Sequence, residues 1–247
     1  MSKVSIITAV TRPGLLPALY EALTLQDVAW EWLVQLDGEA ISWVPQPADE
    51  KWLGDERVQL ERNARPMGSG TTRNQALMRA SNDLILCVDD DDLLYPKALG
   101  ALCRALDKWP ECFGAWGRCD VQRSAATESE VFRAWHVDGP IEPGTILRRF
   151  EDSGEFAVHV GAVLWRRGHL IAVGGYGALP RSIDTNPFLA CEALFPVCYV
   201  DVPVYLYRLH GQQMTQDESY KAMQRRVHAF NFERAHQLNH LLQIRPK

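Results

Sequence analysis

The chain has 247 residues, of which 47% are apolar and 23% charged; this composition supports a shared hydrophobic core and excludes both a disulfide-stapled miniature and a disordered segment. A formal net charge of -5 and a pI near 5.8 argue against a broad electrostatic grip on nucleic acid or an anionic bilayer, so a polyanionic ligand needs local help. No apolar run nears the roughly 20 residues of a spanning helix, the opening MSKVSIITAV has no cleavage-site design, and the six cysteines form no C-x-x-C pair. The expectation is a cytoplasmic chain with no transmembrane segment and with free, buried thiols.

Val4, Ile6, Ile7, Ala9 and Val10 predict a first strand closed by the turn Thr11-Arg12-Pro13-Gly14. Leu15, Leu16, Leu19 and Leu23 recur at three- and four-residue steps and predict a helix whose first turn tolerates Pro17. Trp32 to Leu36 predicts a second strand stopping at Asp37-Gly38, and Arg57 to Leu60 a weaker third. Gly68-Ser69-Gly70 reads as a loop whose serine caps a helix through Ala76, Leu77 and Ala80. Leu84 to Val88 is apolar without alternation, as expected of a strand covered on both faces. After Pro96, Leu99, Leu102, Cys103 and Leu106 predict a helix ending near Trp109-Pro110. Phe113 to Val121, Val131 to Val137 and Phe156 to Trp165 then read as strands. Ser219 to Leu242 reads as a helix with Met223, Val227, Phe230, Leu238, Leu241 and Leu242 on its apolar side.

Strands separated by helices imply an α/β class with a mainly parallel sheet, whose ligands bind beyond the carboxyl ends of the strands. Those ends carry Thr11, Arg12, Asp37 and the run Asp89-Asp90-Asp91-Asp92. A solvated charge run or a helix cap is the plain reading of four adjacent aspartates. Here they follow a buried strand, and Pro96 delays the next helix, so capping does not occupy all four. Such crowding is costly unless a cation neutralises it. Hard oxygen ligands select Mg²⁺ or Mn²⁺, which bind through one or two carboxylates plus the phosphates of a substrate.

Taken in order, VSIITAVTRP, QLDGE, GSGTTRNQAL and LILCVDDDDLLYP resemble the family-two glycosyltransferases. Farther along, Gly174-Gly175-Tyr176, Ile183-Asp184 and Tyr207-Arg208-Leu209-His210 are similar to that family's Gly-Gly-aromatic turn, its acidic pair ending in aspartate and its Tyr-Arg-x-His segment. The resemblance implies a GT-A fold: a Rossmann-like central sheet flanked by helices, with a mixed carboxyl-terminal half. It also implies one domain over residues 1–247, binding a nucleotide-sugar donor up to about residue 110 and an acceptor beyond it. The activity implied is inverting transfer from a nucleoside diphosphate sugar, UDP-linked by expectation, to an acceptor hydroxyl with Mn²⁺ or Mg²⁺. The acceptor and the oligomeric state stay open.

On the matching positions, the resemblance puts Asp89 near the ribose and on the metal, and gives Asp91 the divalent ion on the diphosphate. Asp90 occupies the variable position and is counted with the substrate contacts, while Asp92 supports the loop. Asp37 can accept a hydrogen bond from the ring imide of uracil or thymine, or from guanine; otherwise it is a turn residue. Arg73 either pairs with an aspartate of the metal loop or approaches the nucleotide. Thr8 and Arg12 line the end of the first strand, and Arg208 sits in a loop that closes over the donor. His210 of that loop is a further metal ligand or a diphosphate contact. Asp184 is the expected catalytic base, taking the acceptor's proton as its oxygen attacks the anomeric carbon; the alternative is a helix cap.

Trp116 and Trp135 are the two candidates for sugar stacking, and His159 reads as a strand residue. Lys221, Arg225, Arg226 and Arg234 could give weak membrane-surface contact, although a solvated outer face is the stronger reading. Two alternatives compete: a haloacid dehalogenase-type phosphohydrolase, which also follows an apolar strand with Asp-x-Asp, and a non-catalytic nucleotide-sugar-binding protein.

Overall fold

The structure, a computed structural model, describes residues 2–123, 129–132, 137–209 and 218–243. The first half runs β1 (Lys3–Val10), α1 (Leu16–Thr24), β2 (Ala29–Leu36), α2 (Glu50–Leu53), β3 (Val58–Arg62), α3 (Ser69–Arg79) and β4 (Leu84–Cys87). Then come β5 (Leu93–Leu94), α4 (Ala98–Lys108), β6 (Gly114–Arg123), β7 (Ser129–Val131), β8 (Gly139–Ile141) and α5 (Thr145–Ser153). The chain continues through β9 (Val163–Arg166), α6 (Arg167–Ala172), α7 (Thr185–Glu192), β10 (Val197–Leu209) and α8 (Glu218–Gln243). The strands build one sheet in the order β3-β2-β1-β4-β9-β6-β10-β5, with β7 on β6 and β8 on β10. β3, β2, β1 and β4 are mutually parallel, as are β6 and β10; β9 lies antiparallel between β4 and β6.

Alternation along each strand explains why two helical layers are needed. In β1, Val4, Ile6 and Val10 join one core layer and Ile7 the other. β2 divides Trp32, Val34 and Leu36 from Leu33, and β4 divides Leu84 and Leu86 from Ile85 and Cys87. The first layer is closed by Leu16, Leu19 and Leu23 of α1 and Leu99, Leu102 and Leu106 of α4. The second is closed by Ala76 and Leu77 of α3 together with Leu147 and Phe150 of α5 and Phe188 of α7. With both faces apolar, β4 has no alternation to show.

Four local expectations are corrected. The cap of α3 is Gly68 rather than Ser69: Asp37 accepts the N–H groups of Met67 and Gly68, both at 2.8 Å, so the helix is already under way at Ser69. Only the end of the stretch from Phe156 to Trp165 is a strand, because a 3-10 turn at Val160–Ala162 brings Gly161 against the ring of Tyr205. Between Val131 and Val137, Val131 is the one described residue in a strand; residues 133–136 lie outside the description.

The buried side of α8 is also different. Val227, Asn231 and Ala235 face inward, whereas Met223, Phe230 and Leu241 are exposed; the side chain of Leu242 lies outside the description. Inward polar side chains bond to one another: Asn186 Nδ2 donates to Asn231 Oδ1 at 2.6 Å, and Arg234 donates to Asn186 Oδ1 at 2.7 Å and to the Val173 carbonyl. Arg234 therefore ties α8 to the segment around α7 instead of standing on an outer face. Arg225 and Arg226 are exposed, and the side chain of Lys221 is not described.

Candidate active site

The four aspartates after β4 occupy four different environments. Asp92 is wholly buried and accepts Tyr205 Oη at 2.8 Å and the Arg208 N–H at 2.9 Å; burial, then the charges of Asp89 and Asp91, push its carboxyl well above the usual range. Asp90 accepts the backbone N–H groups of Thr11 and Arg12 at 2.8 and 2.9 Å and the Arg12 guanidinium at 2.5 Å, so it pins the β1–α1 turn. Asp91 pairs with the same guanidinium at 2.7 Å. Asp89 pairs with Arg73 at 2.5 Å and is the open one: its side chain keeps 42% exposure, against 9% for Asp91 and 3% for Asp90. Burial works against its ionisation, but the charge and hydrogen bond of Arg73 hold the Asp89 carboxyl below its ordinary value.

Arg73 itself is set by a clamp between α3 and the turn before α7. Asn74 accepts the Tyr176 N–H at 2.9 Å and donates to the Tyr176 carbonyl at 2.8 Å. The Tyr176 ring then lies with its centroid 5.5 Å from the Arg73 guanidinium carbon. Gly175 has φ +67°, and a Cβ there would stand 2.6 Å from Asn74 Oδ1, so both conformation and contact require glycine. The Arg-Asn pair and the Gly-Gly-aromatic turn, 102 residues apart, are thus one device.

A cavity of about 300 Å³ opens between these elements, lined among others by Arg73, Asp89, His159, Tyr176, Asp184 and Tyr207. Asp184 caps α7, its Oδ1 accepting the Thr185 N–H at 2.8 Å; no donor among the described residues engages Oδ2. Capping and facing the cavity therefore coexist. Just before it, Ser182 holds φ +47°, uncommon for a non-glycine residue, with its Oγ 3.3 Å from His228 Nε2 of α8. Cys87 also lines the cavity, but burial pushes its thiol up to about 12, so it stays protonated and is no nucleophile.

Asp37, at the tip of β2, is almost fully buried. It accepts Asn63 Nδ2 at 3.1 Å besides the Met67 and Gly68 N–H groups. Burial raises its carboxyl, yet these bonds outweigh it and hold the group below the ordinary range. Arg208 braces the aspartate loop, its Nε donating to the Asp91 carbonyl at 2.6 Å. Hard carboxylate oxygens at Asp89 and Asp91 suit Mg²⁺ or Mn²⁺. Among the described residues no three acidic, histidine or cysteine side chains close on one point, a set that a substrate diphosphate and water would complete. His210 lies outside the described residues.

Residues 6–171, more than half of the chain, match the family model described as glycosyl transferase family 2. The chain belongs to that family. A search of curated protein sequences finds no match. Among solved structures, residues 1–349 of S. aureus TarS in complex with UDP-GlcNAc superpose with a TM-score of 0.70 at 15% identity, covering 97% of this chain and 70% of that one. The same TarS fragment with UDP gives 0.67 at 15% identity, again covering 97% and 70%. At such identity the likeness establishes the fold, which is GT-A. Family membership makes the chain a glycosyltransferase and sets aside the phosphohydrolase and the non-catalytic alternatives.

Within this family 2 fold, several expected site residues take other places. Thr8 is buried, its hydroxyl accepting Trp32 Nε1 at 2.9 Å, so it belongs to the core and not to the rim. Asp90 is committed to the β1–α1 turn and has almost no side-chain surface for substrate. Trp116 is almost fully buried against Phe188 and Tyr199, which leaves no open face for a sugar; Trp135 is outside the described residues. Arg12, Arg73, Asp89, Asp91 and Arg208 are drawn together by the pairings above, and Asp184 shares the cavity with Arg73 and Asp89. Sequence reasoning missed His159 and Tyr207 as cavity residues. A lone histidine carries no spacing signal, and Tyr207 was legible only through its Tyr-Arg-x-His context.

Proposed function

We propose that this family 2 glycosyltransferase moves a sugar, with inversion, from a UDP-linked donor to an acceptor hydroxyl in the cavity between Asp89 and Asp184. The observation that carries the reading is that shared cavity. A donor-side carboxylate balanced by Arg73 and an acceptor-side carboxylate with one unengaged oxygen face it from different elements. Asp184 takes the proton from the acceptor hydroxyl as that oxygen attacks the anomeric carbon on the face opposite the diphosphate, a single displacement. Arg73 and Tyr176 fix the position of Asp89, and Arg12 and Arg208 offset the charge of the aspartate loop. Asp37 would accept the imide N–H of uracil beside its Asn63, Met67 and Gly68 donors; UDP in the similar TarS structures supports the choice of base.

Asp89 and Asp91 would hold Mn²⁺ or Mg²⁺, which as a Lewis acid offsets charge on the departing diphosphate. The amino half, to about residue 110, binds the donor and the remainder supplies base and acceptor pocket, within one domain and in the cytoplasm. No helix among the described residues is long and apolar enough to cross a membrane. The test is a panel of UDP-, GDP- and dTDP-sugars incubated with Mn²⁺, reading released nucleoside diphosphate. UDP-sugars should turn over, and Asp184→Asn should keep UDP affinity while losing about a hundredfold or more in rate. Near-normal turnover in that variant removes Asp184 from the mechanism.

A further inference from the structure

His159 stands in a seat built of rings. Its centroid is 4.8 Å from those of Tyr205 and Tyr207 and 5.5 Å from that of Phe132. The seat depends on Gly161, where a Cβ would lie 2.6 Å from the Tyr205 ring. Three rings thus fix the imidazole while one edge meets the cavity. Among the described residues Nδ1 is buried without a hydrogen-bond partner, and the ring makes no hydrogen bond to them.

A neutral imidazole carries one donor and one acceptor. With Nδ1 enclosed, the tautomer of least cost leaves a bare lone pair there and puts the proton on Nε2, where the cavity can satisfy it. Burial outweighs the pull of Asp89 and Asp184 and holds the ring's protonation below its usual range, so this is a neutral donor among charged neighbours. Between a carboxylate on the diphosphate side and the base on the acceptor side, the part of the donor that must lie here is the sugar ring. Arg73 is already engaged with Asp89, which leaves sugar oxygens in need of a neutral partner.

We propose that His159 donates a hydrogen bond from Nε2 to an oxygen of the transferred sugar, selecting a glycosyl group that presents an acceptor at that point. This rests on reading the cavity as the donor site. Two variants separate the hydrogen bond from the packing: His159→Phe keeps a ring and loses the donor, whereas His159→Gln loses the ring and keeps an N–H near the Nε2 position. With Mn²⁺ present, calorimetry should show UDP affinity within about twofold of wild type in both. Turnover of the UDP-sugar identified by the panel should fall about tenfold in kcat/KM in the Phe variant and recover in part in the Gln variant.

Wild-type kcat/KM in the Phe variant, or better activity in Phe than in Gln, makes the ring's packing its role and overturns the proposal. Imidazole ¹⁵N spectra of the wild-type protein give a readout that needs no variant to fold: one protonated ring nitrogen should shift with the UDP-sugar and not with UDP, and identical spectra with both would overturn it. A wild-type protein that turns over no nucleotide sugar is a different result, and it fells the reading of the cavity itself.

Discussion

Trp32 is wholly buried and its indole N–H has one acceptor, the Thr8 hydroxyl. Replacing that hydroxyl with a methyl of the same shape strands a buried donor, which costs about 1–3 kcal/mol. Thr8→Val should therefore lower stability in urea by that amount and leave UDP affinity unchanged. A weakened UDP affinity at unchanged stability would return Thr8 to the binding site. The aspartate run shows the same limit of reading by residue type. Sequence placed all four carboxylates at the end of a strand, and that position holds; which of them is open depends on partners such as the Thr11 N–H and Tyr205 Oη, 79 and 113 residues away.

Elements carry the site through two joints. At the first, Asn74 of α3 grips the backbone of Tyr176, and Gly175→Ala would force a side chain into both a left-handed backbone and Asn74. The backbone penalty alone is about 1–2 kcal/mol. The variant should melt at lower temperature and lose activity with it; an unchanged melting temperature would contradict the clamp. At the second, Glu192, the last residue of α7, is wholly buried and accepts the N–H groups of Ile146 and Leu147 at 2.8 and 3.2 Å, capping α5. Burial outweighs those bonds and raises its carboxyl from 4.5 to about 7. Because the folded-state value lies above the unfolded one, the contribution is complete below pH ~4.5 and is lost as pH rises through about 7. Wild-type stability should fall between pH 5 and pH 8 by on the order of 3 kcal/mol relative to Glu192→Gln, followed by urea unfolding at each pH. Parallel pH profiles for the two proteins would refute the assignment.

Over the whole molecule, legibility follows the range of the interactions. β1, β2, β4, α1 and α4 were readable because apolar runs and turn residues within ten or so positions dictate them. The cavity wall around His159 was not, since its turn is shaped by the Tyr205 ring; α8 was readable as a helix but its buried side was not, because Asn231 and Arg234 face inward to satisfy the Asn186 side chain and the Val173 carbonyl. Hydrophobic periodicity has no means of registering a buried polar pair. That pairing ties α8 to the start of α7, as Asn186 lies two residues beyond Asp184. Asn231→Ala should cost about 1–3 kcal/mol and lower kcat more than UDP affinity; kcat unchanged at reduced stability would confine α8 to a structural role. The central claim, a diphosphate donor held through a divalent ion at the aspartate loop, is tested most directly by calorimetric titration of UDP with and without Mn²⁺. Binding should tighten about tenfold or more with the metal, and Asp91→Asn should erase that gain. UDP binding that is indifferent to Mn²⁺, or absent in its presence, would contradict the account.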